Sequence, residues 1–193
     1  MGGTMSSVEQ AQGSDSAAET PASEKPASEK AAADKPKRMC LICWSSDLDR
    51  VWPVLILSTT AAASGLEVDV FFTFWGLRVL QRNDKRITGE NWKQKGEAFM
   101  DRGGTDHLKL GKMHMAGMGT SMIKGLAKQY NVASPTDLVE MAQDLGVRFH
   151  PCQMTMELYG LDAKEDFIDG LQPPIGAASF IDMALDADVS FFI

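Results

Sequence analysis

The sequence predicts an α/β protein, a three-layer sandwich with helices on both faces of a mostly parallel sheet. Short apolar runs alternate along the chain with segments of helical periodicity, which is the order expected of βαβ units. The runs are apolar along nearly their whole length, as strands are when both faces of a parallel sheet are covered. They fall at Met39–Trp44, Glu67–Phe74, Val147–Phe149 and Val189–Ile193.

The first strand, Met39–Trp44, leads into a predicted helix that ends at Gly65. Ser45 or Ser46 is the expected N-cap, because serine oxygens accept hydrogen bonds from the first unpaired N–H groups of a helix. Gly65 suits the left-handed position that follows many helices. Pro53 falls within this predicted helix, so either the helix begins after Ser46 or it bends at the proline.

The second strand, Glu67–Phe74, is dense in branched and aromatic side chains, and a short helix is predicted at Leu77–Leu80. Residues 81–112 are polar and rich in glycine, and they predict a long excursion with one short helix near 91–100. A helical pattern resumes at Met113–Tyr130. An excursion of that length inside a domain is usually functional or mobile.

The next predicted helix has the clearest start signal in the chain. Ser134 is placed as N-cap, Pro135 at the first helical position and Asp137 in the first turn. Gly146 ends this helix, and a further apolar helix is predicted at Gly176–Leu185, before the last strand.

Composition divides the chain into a disordered tail, 1–37, and one folded domain, 38–193. The tail is rich in Ala, Ser, Glu, Lys and Pro, and Val8 is its one branched aliphatic residue, so it cannot offset the entropy of ordering. Of the chain's net charge of -7, about -6 falls after Arg38. An acidic domain without a basic stripe argues against nucleic acid as a partner.

The longest apolar stretch, Val51–Ala63, has 13 residues and is interrupted by polar side chains. It is too short to cross a bilayer, so we expect a soluble protein with no membrane partner. Three cysteines, an odd number, indicate a reducing compartment rather than a disulfide framework. The cytoplasm is therefore the expected location.

Cys152 lies between the strand at Val147–Phe149 and a helix-compatible segment at Met154–Leu161. A cysteine at the start of a helix meets unpaired N–H groups, which favour the thiolate, and the thiolate is the nucleophile. The alternative is a small buried hydrophobic residue, since free cysteine is among the most buried residue types. Position alone leaves both open.

Cys40-x-x-Cys43 has the spacing of a redox or metal motif, but both cysteines fall within a predicted strand, where residues three apart face opposite ways. We therefore expect them to pack in the core. His150, two residues before Cys152, is either a proton partner on the same face or a hydrogen-bonded residue at the strand end. His114 lies in a methionine-rich segment that suggests soft-metal binding only weakly, and no metal site is predicted.

Other chemistries lack their motifs. No glycine-rich phosphate loop follows a strand, and no Gly-x-Ser-x-Gly turn supports a serine hydrolase. Cys152 is the one nucleophile with a supporting context.

Several segments together resemble the DsrE/DsrF-like superfamily, and within it the DsrE2 branch. They are the run Ser58–Trp75, with small residues in its helix and then Val68–Leu77, the Gly- and Met-rich segment Met113–Gly119, the turn Cys152-Gln153-Met154-Thr155 and the stretch Ala177–Ala187. The resemblance covers about residues 38–193. It implies a DsrE-like fold of the flavodoxin or Rossmann type. Some relatives carry membrane segments, and this chain resembles the soluble type.

The resemblance also implies a sulfur relay, as in sulfur oxidation. Proteins of this family accept sulfane sulfur on a cysteine as a persulfide and pass it to a carrier, and Cys152 matches that cysteine by position. His150, Gln153 and His114 are candidate supporting residues. Rhodanese-type donors, TusA-like acceptors and homo-oligomers, often trimers or hexamers, are the implied partners. No organic cofactor is implied, and whether such a sulfurtransferase-like carrier is an enzyme stays open.

Two other functions remain at this point. A non-catalytic oligomeric interaction module would leave Cys152 merely packed. A thiol redox protein would need a resolving cysteine, for which Cys40 and Cys43 are poorly placed.

Overall fold

The structure, a computed structural model, describes residues 35–84, 92, 94–96, 102–112 and 117–193. Most of the predicted tail, most of the predicted helix near 91–100, and His114 lie outside the described residues. Residues 36–193 form one structural unit. The predicted boundary between a tail and a domain at residues 37 and 38 stays a prediction.

The described strands form one four-stranded sheet in which every pairing is parallel, in the order β3-β2-β1-β4. The predicted α/β sandwich around a parallel sheet is confirmed. The strands are β1 (Arg38–Cys43), β2 (Glu67–Phe72), β3 (Arg148–Pro151) and β4 (Val189–Phe192).

Helices cover both faces of this sheet. Two of the described helices are 3-10 helices. One follows β2, and the other is a three-residue turn that ends at His107. The α-helices are α1 (Leu48–Ala63), α2 (Met118–Gln129), α3 (Pro135–Asp144), α4 (Gln153–Tyr159) and α5 (Ala177–Leu185), and the 3-10 helices are Phe74–Leu80 and Thr105–His107.

The first face of the sheet packs against α1 and α3 and holds the main apolar core. Alternate residues of β1 and β2 point into it, as the period of a strand requires. Its largest fully buried side chains include Leu41, Leu55, Val70, Phe72 and Phe149. Phe72 and Phe149 meet edge to face with their ring centroids 5.3 Å apart.

The second face carries a much smaller apolar cluster, covered by α5. The buried members are Cys40, Phe71, Cys152 and Phe180, and the Phe71 and Phe180 rings stack with centroids 4.8 Å apart. Phe180 is the one buried residue of α5. This helix is therefore held to the sheet by few apolar contacts.

The start of α1 differs from the prediction. Its N-cap is Asp47, not Ser45 or Ser46, and Ser45 Oγ instead accepts the hydrogen bond of the Asp47 N–H at 3.0 Å. Pro53 stays inside the helix, so the later start does not remove it. The predicted end is confirmed, because Gly65 follows the helix with a φ of 85°.

The second strand ends at Phe72 rather than Phe74, because Phe74 has left-handed backbone with a φ of 51° and opens the 3-10 helix. The following helix starts at Met118, and residues 113–116 of its predicted first turn lie outside the described residues. Apolar side chains recur every four residues along this helix, at Met118, Met122 and Leu126, and they are exposed.

The predicted start of α3 is confirmed. Ser134 Oγ accepts the Asp137 N–H, and Asp137 Oδ2 accepts the Ser134 N–H at 3.1 Å, which forms a complete capping box. The final helix and strand lie where they are predicted, to within a residue. No helix in the described ranges is long and apolar enough to cross a membrane.

Candidate functional site

Cys152 is the N-cap of α4 and directly follows β3, as the sequence predicts. Its N–H donates to the carbonyl of Phe72 at 2.9 Å, and the N–H of Gln153 donates to the carbonyl of Ile175 at 3.0 Å. These bonds fix the cysteine between β2 and the segment before α5, at the carboxyl edge of the sheet. That edge is where open α/β sheets bind ligands.

The thiol of Cys152 is buried, with 2% of the residue exposed. A persulfide carrier needs an accessible thiol, whereas in the conformation described this thiol is enclosed. Cys152 shares its cluster with Phe71 and Phe180, and Ile175 packs against it. Access to Sγ therefore requires movement of α5 or of the segment that leads into it.

His150 and Asp69 form a buried pair on the same face of the sheet as Cys152. His150 Nε2 and Asp69 Oδ1 are 2.8 Å apart, and the two side chains are almost fully enclosed. His150 is thus hydrogen-bonded near the strand end, which is one of the two predicted alternatives. Its Nδ1 atom is also buried and has no hydrogen-bond partner among the described residues.

Arg148 completes this network with a two-pronged contact to Asp69, Nε to Oδ1 at 2.7 Å and Nη2 to Oδ2 at 2.8 Å. Burial raises the pKa of the Asp69 carboxyl, but the hydrogen bonds from Arg148 and His150 outweigh it and hold that pKa well below its usual range. The same contact raises the pKa of Arg148. Asp69 is therefore a fixed negative charge beneath α5.

Cys43 lies in the main core and Cys40 in the smaller cluster, so they face opposite ways, as predicted. Burial raises the pKa of the Cys43 thiol to about 12, although a hydrogen bond to the Ser45 carbonyl opposes the shift. The pKa of Cys40 is also raised, first by burial and then by the charge of Asp69. Both thiols are poor nucleophiles at neutral pH.

Neither of these cysteines can reach Cys152 within one copy of the chain. Cys40 pairs with Asp69, whereas Cys152 follows Pro151, which pairs with Phe72. Two strand spacings and four residues of rise separate Cys40 from Cys152, which is roughly 16 Å between Cα atoms. A disulfide needs less than about 7 Å.

Gln153, a predicted supporting residue, points away from the thiol. Its side-chain amide donates to Glu157 at 3.1 Å, and it lines an open pocket of about 510 Å³ with Met156, Leu161 and Pro174. His114 lies outside the described residues, and within those residues no group of three His, Cys, Asp or Glu side chains could hold a metal ion.

An aromatic group borders the site, in which Phe74 and Trp75 are exposed and Tyr159 is half-buried. Phe74 and Trp75 meet edge to face, and Tyr159 lies 5.8 Å from Trp75 between ring centroids. The Phe74 N–H donates to Thr155 Oγ1 at 3.2 Å, which ties the strained residue to the first turn of α4. Left-handed backbone at a non-glycine residue is costly and clusters at functional sites.

Asp69 was also missed, although the sequence carries a signal for it. It is the one charged residue inside an otherwise apolar strand, Val68-Asp69-Val70-Phe71-Phe72. A charge placed there must find partners in the fold. Those partners, Arg148 and His150, lie about 80 residues further along the chain.

The comparisons with known proteins agree with this fold. The chain is 36% identical over 157 residues to the uncharacterized protein YrkE of Bacillus subtilis, which covers 81% of this chain and 97% of YrkE. It is 37% identical over 159 residues to the sulfur carrier protein DsrE2 of Allochromatium vinosum, covering 81% of this chain and 98% of that protein.

The crystal structure of the ychN protein from E. coli is similar with a TM-score of 0.50 at 12% identity, and it covers 82% of this chain and 100% of ychN. At that identity the likeness concerns the fold alone. The sequence profile of the DsrE/DsrF/DrsH-like family matches residues 35–192. That match takes in β1 to β4 and Cys152, so the chain belongs to the DsrE/DsrF/DrsH-like family.

Proposed function

We propose that this protein is a cytoplasmic sulfur carrier that holds sulfane sulfur as a persulfide on Cys152 and passes it to a TusA-like acceptor. The sulfur-relay role is supported by the family and by the similarity to a protein named as a sulfur carrier. The choice of Cys152 as the sulfur-carrying residue rests on its position in the fold. Cys152 alone of the three cysteines caps the start of a helix at the carboxyl edge of the sheet, whereas Cys43, the last residue of β1, is buried in the main core.

The chemistry is a thiol exchange without net oxidation. The Cys152 thiolate attacks the outer sulfur of a donor persulfide, such as that of a rhodanese-type donor. A bond forms between Sγ and that sulfur, the donor's S–S bond breaks, and the donor leaves as a thiol. An acceptor thiolate then removes the outer sulfur from Cys152 in the same way. The protein is unchanged over the cycle, which makes it sulfurtransferase-like.

The burial of Cys152 suits the storage part of this cycle. A persulfide beneath Phe180 is kept from water and oxidants, as closed sites protect reactive intermediates. Loading and unloading then need α5 to move, and that helix contributes one buried residue, Phe180, with Met183 and Ala184 partly buried beside it.

The first experiment incubates the wild type, Cys152→Ser and Cys40→Ser with polysulfide, or with thiosulfate and a rhodanese, and measures the intact masses. We expect one added sulfur atom, removable by reductant, on the wild type and on Cys40→Ser but not on Cys152→Ser. Equal masses for all three proteins without any added sulfur would overturn the proposal.

A non-catalytic interaction module is the second candidate, and one observation favours it. The side chains Met118, Met122, Leu126 and Tyr130 form a stripe along α2 in which 43% to 73% of each residue is exposed. Such a stripe suits contacts in a homo-oligomer, for example a trimer. A carrier that is also an oligomer would satisfy both observations, and the mass experiment separates a carrier from a module that only binds.

A further inference from the structure

The buried pair of Asp69 and His150 has a geometry that suits proton transfer at Cys152. Asp69 accepts a hydrogen bond from His150 Nε2–H, which fixes the ring so that Nδ1 carries the lone pair when the histidine is neutral. The two ring nitrogens point to nearly opposite sides, so Nδ1 faces away from Asp69. Asp69 lies opposite Arg148 in the strand register, and Arg148 is the first residue of β3. Cys152 lies just beyond the other end of β3.

His150 and Cys152 are two residues apart in extended backbone and therefore share a face of the sheet. Two residues of strand rise place their Cβ atoms about 7 Å apart. A rotation of the thiol or one bridging water closes that distance, and either is sufficient for a general base. The buried and unpartnered Nδ1 is a second observation, independent of the cysteine itself.

We propose that Asp69 and His150 form a proton relay for Cys152. His150 Nδ1 takes the thiol proton as Sγ attacks the sulfane sulfur, and the resulting imidazolium gives that proton to the donor thiolate as it leaves. Cys152–SH and a donor persulfide, R–S–SH, thus become Cys152–S–SH and R–SH, with no change in total electrons or protons. His150 is the catalytic base and acid, and Asp69 is a positioning residue. This proposal rests on the proposed sulfur-carrier function.

Arg148 explains why Asp69 can serve in this way. Its two hydrogen bonds keep Asp69 ionised inside the protein, so the carboxylate stabilises the imidazolium while it stays unprotonated itself. The other charged or titratable groups on the elements around the pair are Arg38 and Cys40 on β1, Glu67 on β2, Asp182 on α5 and Asp186 and Asp188 after it. Carboxylates and arginines hold their charge from pH 6 to about 9.

The test measures the rate of iodoacetamide alkylation of Cys152 against pH, by following the tryptic peptide 149–164. The proteins are the wild type, His150→Gln, Asp69→Asn and the control His107→Gln, which changes a histidine outside the site. We expect His150→Gln to react at least about tenfold more slowly near pH 7 and to reach the wild-type rate above about pH 9.5, because hydroxide then removes the proton. His107→Gln should follow the wild type throughout.

Asp69→Asn should lie between the wild type and His150→Gln, because an asparagine oxygen still accepts the Nε2–H but lacks the charge. A variant that changed only the exposure of the thiol would alter the rate by one factor at every pH. Identical profiles for His150→Gln and the wild type would overturn the relay, even if Asp69→Asn fails to fold. Sulfur loading of the same proteins and of Cys152→Ser separates the two proposals. If Cys152→Ser still accepts sulfur, the carrier function fails, whereas if only the relay is wrong, His150→Gln loads as fast as the wild type.

Discussion

The two faces of the sheet are built from the same strands and serve different purposes. The first face carries the main apolar core and is covered by α1 and α3, with four buried apolar residues on α1 alone. The second face holds a charge network and the thiol, beneath a helix with one buried residue. The difference teaches that the main apolar core and the buried charged groups lie on separate faces. The first face can supply the stabilising free energy of apolar burial. The second face supplies less of it, because Asp69, His150 and Cys152 occupy positions there.

The largest expected effect is on stability at the first face. Phe72→Ala removes a fully buried ring that packs against Phe149. We expect the free energy of unfolding to fall by about 3–5 kcal/mol, from lost burial and the cavity left behind. Urea denaturation measures the change. A loss below about 1 kcal/mol would show that this face does not dominate stability.

The next effect is the pH dependence of the second face. Because the pKa of Asp69 is lower in the folded protein, its contribution is complete above the unfolded value of about 3.9 and is lost as pH falls from there toward the folded value. We expect Asp69→Asn to cost about 1–3 kcal/mol at pH 7.

Denaturation at pH 7 and at pH 3 should therefore show a smaller difference between Asp69→Asn and the wild type at the lower pH. A difference that stays constant or grows as pH falls would mean that Asp69 is not held ionised by its partners.

A change at α5 should alter reactivity more than stability. Phe180→Ala removes the buried residue that holds this helix over Cys152, and we expect the alkylation rate of Cys152 at pH 7.5 to rise by about tenfold or more. Ala178→Ser, on the exposed side of the same helix, is the control. An unchanged rate for Phe180→Ala would show that α5 does not limit access to the thiol.

The smallest effect concerns the start of α3, on the first face. Ser134→Ala removes the two hydrogen bonds of the Ser134 hydroxyl, one accepted from the Asp137 N–H and one donated to Asp137 Oδ2, and keeps the bond from the backbone N–H of residue 134 to Asp137. We expect a loss of about 1 kcal/mol in unfolding free energy and no change in the reactivity of Cys152. A change in thiol reactivity would mean that the two faces are coupled.

Local signals in the sequence predict much of this architecture. The apolar runs locate every described strand, and Ser134, Pro135 and Asp137 locate the start of α3, because capping depends on neighbours in the chain. The position of Cys152 between strand and helix also follows from local pattern.

The features that local sequence patterns do not predict depend on packing between distant segments. The order of the strands places β4 beside β1, and no local pattern encodes that choice. The burial of Cys152 depends on Phe180, 28 residues further on, so the local sequence pattern could not decide between an accessible and a buried thiol. The pairing of Asp69 with His150 is likewise a contact between distant segments. The roles of Cys152, His150, Gln153 and His114 stay predictions.

The most direct measurement locates the carried sulfur. The wild type is loaded with polysulfide, its persulfide is trapped with iodoacetamide, and the tryptic peptides 149–164 and 39–50 are weighed, since the first contains Cys152 and the second Cys40 and Cys43. The carrier account predicts the extra sulfur on peptide 149–164 alone. Extra sulfur on peptide 39–50, or on neither peptide, would contradict it.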